Sequence, residues 1–209
     1  MPLLTEIKPV KSLFRVVLDD GSSLFLLPDI MYSRSLKEGN SYEESVIASI
    51  IEENSEMLCF QALLKILRTR MHSSGELKRK LAAKKFSYSV IDKTITKAIE
   101  SGVTNNDRAA EFYRNELISK GYGSYKIRDS MKKKGFDQAE IEKFTSESSE
   151  ENLEEESENA RRIFDKKLAF LQKDKCLTYH KIKEKLFRFM QSKGYPTETI
   201  LTLMKDFSE

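Results

Sequence analysis

The apolar frame Leu77, Leu81, Phe86, Ile91 constrains this chain more than any other feature, because it returns twice at the same spacing. Ile127, Met131, Phe136, Ile141 and then Leu186, Met190, Tyr195, Ile200 repeat its steps of 4, 5 and 5. A step of four places two apolar side chains on one face of a helix. Each aromatic follows a basic run: Lys84 and Lys85, then Lys133, Lys134 and Gly135, then Lys193 and Gly194. Those runs read as helix ends, with Gly135 and Gly194 supplying the left-handed C-terminal residue. A further helix then opens from Ser87, from a capping box of Asp137 with Glu140, and from Pro196 as a first helical residue. Three copies of one helical unit are therefore expected.

Composition supports a helical, charge-covered chain: 33% of the residues are charged, Gly numbers 8, Pro 4 and Trp 0. No apolar run approaches the length of a membrane span, and the first twelve residues lack the apolar centre of a secretory signal. A soluble, cytoplasmic, monomeric protein is the expectation. Cys59 and Cys176 lie far apart and read as two reduced, partly buried thiols, while His72 and His180 have no nearby ligand partner. No cofactor and no metal are expected.

The net charge of +3 conceals alternation. Lys plus Arg against Asp plus Glu is 5 to 10 over residues 1–59 and 10 to 3 over 60–100. It is 9 to 7 over 105–145, 0 to 7 over 146–158 and 12 to 6 over 159–209. Basic modules alternating with acidic segments suit a partner surface of mixed sign or a nucleoprotein better than bare DNA.

Phe14 to Leu18, the turn Asp19, Asp20, Gly21, and Ser22 to Leu27 predict a β-hairpin that Pro28 stops. Ser41 with Glu44 signals a helix carrying Val46, Ile47, Ile50 and Ile51, so residues 1–56 form an N-terminal module. A first three-helix repeat is predicted over 57–104, beginning with a helix from Met57 to Arg70 and capped next at Ser73 or Ser74. A second is predicted over 105–145, capped at Asn105 or Asn106 and, after Gly121 to Gly123, at Ser124. Residues 146–157 are an acidic linker or a helix start, and residues 158–209 hold the third repeat.

The motifs now resemble a known family. Arg70, Ser73, Glu76 and Leu77 are similar to the R-x-R-S-x-x-E-L segment of the RecX family of regulators of the RecA recombinase, with His72 where Arg is usual. Gly102 to Ala110 resembles G-L-L-D-D-x-R-F-A, with Asn105 and Asn106 replacing two Asp. Gly121 to Arg128, closing on Lys134, Gly135 and Phe136, resembles G-Y-G-x-x-R-I-R followed by K-G and an apolar residue. Asn caps a helix as well as Asp does, so those replacements keep the capping role. His72 makes any local contact at its position weaker or pH-sensitive.

The resemblance implies a mainly α fold of three tandem three-helix repeats in an elongated, curved array, with a small N-terminal module that contains the β-hairpin. It implies a non-enzymatic modulator, an inhibitor, that lies in the groove of the RecA–DNA filament. There it restrains ATPase, strand exchange and filament extension in DNA repair, recombination and the SOS response. Weak non-specific DNA contact is compatible with the basic units. Arg68, Lys78, Arg79, Arg108, Arg114, Arg128 and Lys132 are the candidate partner contacts, each weighed against a solvated helix face. Tyr113 reads as packing on its helical stripe, and Tyr122 and Tyr125 as interface tyrosines. The alternative is a DNA-binding protein of helix-turn-helix character acting without RecA. No phosphate-binding loop, zinc-protease motif or His-paired nucleophile supports an enzyme.

Overall fold

The structure, a computed structural model, describes residues 1–145, 150–174 and 176–207. It is mainly helical, with a three-stranded antiparallel sheet near the N-terminus. The chain divides into two compact units: Met1–Arg70 with Leu77–Thr104, and Met71–Glu76 with Asn105–Glu209.

In the first unit the predicted hairpin forms from β2 (Leu13–Leu18) and β3 (Ser23–Leu26). Gly21 takes φ +84° in its turn, and Asp20 accepts a hydrogen bond from Ser22 N–H at 2.8 Å. The Ser22 hydroxyl first, and that amide second, hold the Asp20 carboxyl below its ordinary pKa. Sequence reading missed β1 (Leu4–Val10), which pairs antiparallel with β2 as an edge strand. Pro9 lies inside it, and a proline in a strand is tolerated at an edge, where one face of the ladder is unpaired. Pro28 does more than stop β3: it opens α1 (Pro28–Ser33) as its first residue.

One correction concerns the next two predicted helices. The stretch carrying Ile47 and Ile50 and the stretch from Met57 are one helix, α2 (Glu44–Leu67), because no Gly or Pro interrupts it. The expected break between residues 56 and 57 falls inside this helix. Asn54, buried on α2, accepts from Leu27 N–H at 2.8 Å and donates to Phe25 O at 3.0 Å, tying the helix to the end of β3. The sheet, α1 and the first half of α2 enclose one apolar cluster around Leu4, Val16, Leu26, Ile30 and Ile50. The second half of α2 packs with α3 (Ser74–Ala82) and α4 (Tyr88–Glu100) around Leu63, Leu77, Leu81 and Ile91. Cys59 is buried in that core, where desolvation pushes its thiol pKa up, whereas Cys176 is exposed and not partly buried as expected.

The second unit holds two triplets: α5 (Asn106–Ser119), α6 (Ser124–Lys134), α7 (Gln138–Thr145), then α8 (Glu150–Gln172), α9 (Tyr179–Lys193), α10 (Thr197–Asp206). Their cores centre on Met131 and on Leu186 with Met190. Of the twelve frame residues eleven are buried, and Phe86 is half-buried. Helix α8 begins eight residues ahead of the predicted 158, so the acidic run from Glu150 onward is helical. The part of that run at residues 146–149 lies outside the described residues.

The helix ends follow the expected chemistry with three departures, the first at α2, whose N-cap is Glu43 with no side-chain acceptor and not Ser41. Gly135 and Gly194 are left-handed at φ +88° and +83°, and each following amide reaches back five residues, Phe136 N–H to Met131 O and Tyr195 N–H to Met190 O. Asn105 caps α5 by accepting from Arg108 N–H at 2.9 Å, and Asp137 with Glu140 forms the reciprocal capping box of α7. Pro196, expected as a first helical residue, is the N-cap of α10. Ser124, expected as a cap, is the first residue of α6, whose N-cap is Gly123 with no side-chain acceptor.

Candidate partner-binding surface and repeat junctions

The acceptor missing at the start of α6 comes from another repeat. Glu156 on α8 takes the Ser124 N–H at 2.8 Å, and its neighbour Glu155 pairs with Arg114 of α5 at 2.7 Å. Residues of the acidic run therefore bridge to the preceding triplet.

Two junctions in the second unit repeat one geometry. Counting from the frame, Ser73 and Gly123 occupy the same position, four residues before Leu77 and Ile127. Ser73 Oγ donates to Lys134 O at 2.7 Å, and Gly123 N–H donates to Lys193 O at 2.9 Å. Two residues on, Gly75 N–H donates to Gly135 O at 3.2 Å and Tyr125 N–H to Gly194 O at 3.1 Å. Each junction thus sets donors from the start of one helix, a hydroxyl and an amide at Ser73 and Gly75 and two amides at Gly123 and Tyr125, on carbonyls from the end of another. Both sets lack partners within their own helix. Ser73 also caps α3, accepting from Glu76 N–H at 3.1 Å. Ser74 Oγ donates to Asn106 Oδ1 at 2.8 Å, which gives one of the two Asn departures a bonding role. His72 is buried beside Glu76, its Nε2 3.9 Å from the carboxylate, so this position faces inward.

The seven candidate contact residues separate into two groups. Arg114 and Arg128 are half-buried and bonded within the second unit. The Arg114 side chain is only 14% exposed in its pair with Glu155. Arg128 donates from Nε to Thr145 Oγ1 at 3.1 Å and from Nη2 to Thr145 O at 2.7 Å, covering the C-terminal carbonyl of α7. Arg68, Lys78, Arg79, Arg108 and Lys132 are exposed, with Lys78 in a surface pair with Asp92 at 2.7 Å. Arg68, Lys78 and Arg79 belong to the first unit, and Arg108 and Lys132 to the second. Tyr113 packs as expected, stacked on Phe136 with centroids 5.8 Å apart. Tyr122 is half-buried under the Lys193 ammonium, and Tyr125 is exposed.

A second cationic cluster was not among the seven. It lies between α5, α8 and α9, where Lys120, Lys167 and Lys193 converge with Phe170 and Phe189. Its members stand up to 73 residues apart, so no local motif marks it. The only linear signal is the run Arg162, Lys166, Phe170 at steps of four.

Comparison with known proteins is consistent along the chain. Residues 59–97 match the model of the first three-helix domain of RecX, and residues 154–204 that of the third. The Regulatory protein RecX of Clostridium botulinum (strain Alaska E43 / Type E3) is 29% identical over 201 residues, covering 94% of this chain and 90% of that protein. Its counterpart in Clostridium acetobutylicum is 28% identical over 206 residues, covering 97% and 94%. A crystal structure of regulatory protein RecX superposes with a TM-score of 0.70 at 16% identity, over 98% of this chain and all of that one. RecX from Lactobacillus salivarius superposes at 0.63 and 19%, over 74% of this chain and 97% of that one. The helical triplets and these correspondences together make the chain similar to RecX proteins along nearly its whole length.

Proposed function

We propose that this protein is a non-enzymatic regulator of the RecA recombinase, and that it binds the groove of the RecA–DNA filament to restrain ATPase, strand exchange and filament extension. The observation that carries this reading is the correspondence over 94% of the chain to a protein named Regulatory protein RecX. The partner comes from the family resemblance, and the physical organisation of the chain supports it. Twelve frame positions are spent on three similar cores, so the repeats differ mainly in their charged exteriors, which suits contact with a repeating partner.

Within this reading the contacts fall to the exposed cations Arg68, Lys78, Arg79, Arg108 and Lys132. Arg114 and Arg128 act on the partner indirectly, by holding the second unit together. Charge complementarity at such a surface governs encounter and register more than affinity. The test is RecA's DNA-dependent ATPase with this protein added below the RecA concentration. The rate is expected to fall, and reversal to Glu at Arg108 and Lys132 is expected to weaken the effect while the helical spectrum is retained. An unchanged ATPase at equal concentrations, with the protein folded, removes the reading.

A further inference from the structure

The groove between α5, α8 and α9 lies wholly within the second unit and has a volume of about 380 Å³. Lys120, Arg162, Lys166, Lys167 and Lys193 line it together with Phe170 and Phe189, and no carboxylate does among the described residues. The helical period explains the convergence: Arg162, Lys166 and Phe170 fall on one face of α8, and Phe189 and Lys193 on one face of α9. Lys120 follows the last turn of α5, and its carbonyl accepts from Lys193 Nζ at 3.3 Å.

Aromatic and cationic groups are interleaved. Lys167 Nζ stands 5.0 Å from the Phe170 ring centre and 5.1 Å from that of Phe189. Lys193 Nζ stands 4.7 Å from the Tyr122 ring and 5.9 Å from Phe189. Yet Phe170 is 66% exposed, so a large flat apolar surface remains in water at the rim of a cationic groove. Single exposed phenylalanines are ordinary on proteins, but one that carries the Lys167 ammonium over its ring in a cation-lined groove offers both halves of a nucleotide a partner. The ring takes a base face, and the cations take backbone phosphates. An acidic peptide has the charge without a planar group to cover Phe170, and a duplex keeps its bases stacked inside.

We propose that this groove binds single-stranded nucleic acid, with a base stacked on Phe170 and adjoining phosphates held by Arg162, Lys166 and Lys167. The site does not depend on the RecA reading, and its test contains no RecA.

The full chain is titrated with a fluorescent oligothymidylate at several salt concentrations, beside an abasic strand of equal length. Phe170→Ala is expected to weaken oligothymidylate binding roughly five- to hundredfold, the range of one lost base stack. It leaves abasic-strand binding unchanged. Phe170→Trp, the sole tryptophan of its chain, retains affinity, and its emission is quenched by the oligonucleotide. Lys166→Gln with Lys167→Gln lowers the slope of log affinity against log salt by about 0.7 for each phosphate that is no longer neutralised. The proposal is overturned if Phe170→Ala binds as the parent does, if it loses as much with the abasic strand, or if polyglutamate displaces the oligonucleotide at equal charge concentration.

Discussion

The two junctions of the second unit bond equivalent carbonyls, one through the Ser73 hydroxyl and the Gly75 amide and the other through the Gly123 and Tyr125 amides. At the junction on Gly135 the close approach is at Gly75, where a Cβ would stand 2.4 Å from Gly135 O. At the junction on Gly194 it is two residues earlier in the frame, at Gly123, where a Cβ would stand 2.6 Å from Gly194 O. The equivalent of Gly75 in that second junction is Tyr125, which carries a full side chain. What the repeats share is therefore a bonded contact between helix end and helix start. Which position gives up its Cβ follows the local approach of the backbones.

The largest effect is expected from filling that space. Gly75→Ala and Gly123→Ala each push a methyl into backbone atoms that no rotamer can move, at a cost of about 3 kcal/mol from overpacking and a broken junction bond. Tyr125→Ala, at the position equivalent to Gly75, is expected to cost less than about 1 kcal/mol, because that junction already accommodates a Cβ. Urea unfolding of the three variants checks the comparison. Equal losses at Tyr125 and Gly75 would show that the two junctions are not offset as described.

A smaller loss separates bonded from exposed cations. Removing the Arg128 side chain leaves the carbonyl of Thr145 and its hydroxyl without their donors, and Arg128→Ala is expected to cost about 1–2 kcal/mol. Arg114→Ala, which breaks the pair with Glu155, belongs in the same range. Arg108→Ala, on an exposed face, is expected to fall within about 0.5 kcal/mol of the parent. Thermal unfolding ranks them, and a large loss at Arg108 would mean that its face is packed.

The repeat frame was legible because helical period and burial are local consequences of side-chain type. Leu77, Met131 and Leu186 announce themselves by spacing alone. Capping was legible where donor and acceptor are three residues apart, as at Asn105 and at Asp137 with Glu140. It failed at Ser124, whose amide is met by Glu156 from 32 residues away, a pairing set by packing of α8. Strand β1 was lost because Pro9 argues against a strand until its edge position is known. The groove around Phe170 stayed hidden for the same reason as Glu156: its charges come from three helices. The roles of Arg114 and Arg128 were invisible too, since a bonded and a solvated arginine have the same helical spacing.

A gain is expected where the first copy departs from the other two. The left-handed residue before the frame aromatic is Gly135 or Gly194 in the later copies, but Lys85 at φ +68° in the first. A side chain there crowds the following carbonyl, whereas glycine does not. Lys85→Gly is expected to stabilise the first unit by about 0.5–1 kcal/mol, the relief being partly offset by the greater freedom of glycine in the unfolded chain. A loss of stability would show that the Lys85 side chain contributes packing that outweighs its backbone cost.

The smallest effect concerns pH and distinguishes α7 from the corresponding helices of its neighbours. Those helices start from Ser87 and Pro196, which do not titrate, whereas α7 starts from Asp137 with Glu140. Burial raises the Glu140 carboxyl above its ordinary pKa of 4.5, and the nearby charges of Asp137 and Asp107 add to this, against the lowering effect of bonds from Asp137 N–H and Asn106. A carboxyl whose folded pKa is raised favours the folded state most when protonated. Its contribution is complete below the unfolded pKa and is lost as pH rises through the folded value. Glutamine keeps the capping acceptor without the titration. Stability of the Glu140→Gln variant is therefore expected to gain on that of the parent as pH rises through and above the ordinary value of 4.5, and to level off once the folded-state carboxyl has ionised. Taking the difference between the two chains cancels groups shifted the other way, such as Asp129, whose pKa the Lys133 ammonium lowers. Parallel curves across that window would mean that the Glu140 carboxylate is as well accommodated in the fold as in water.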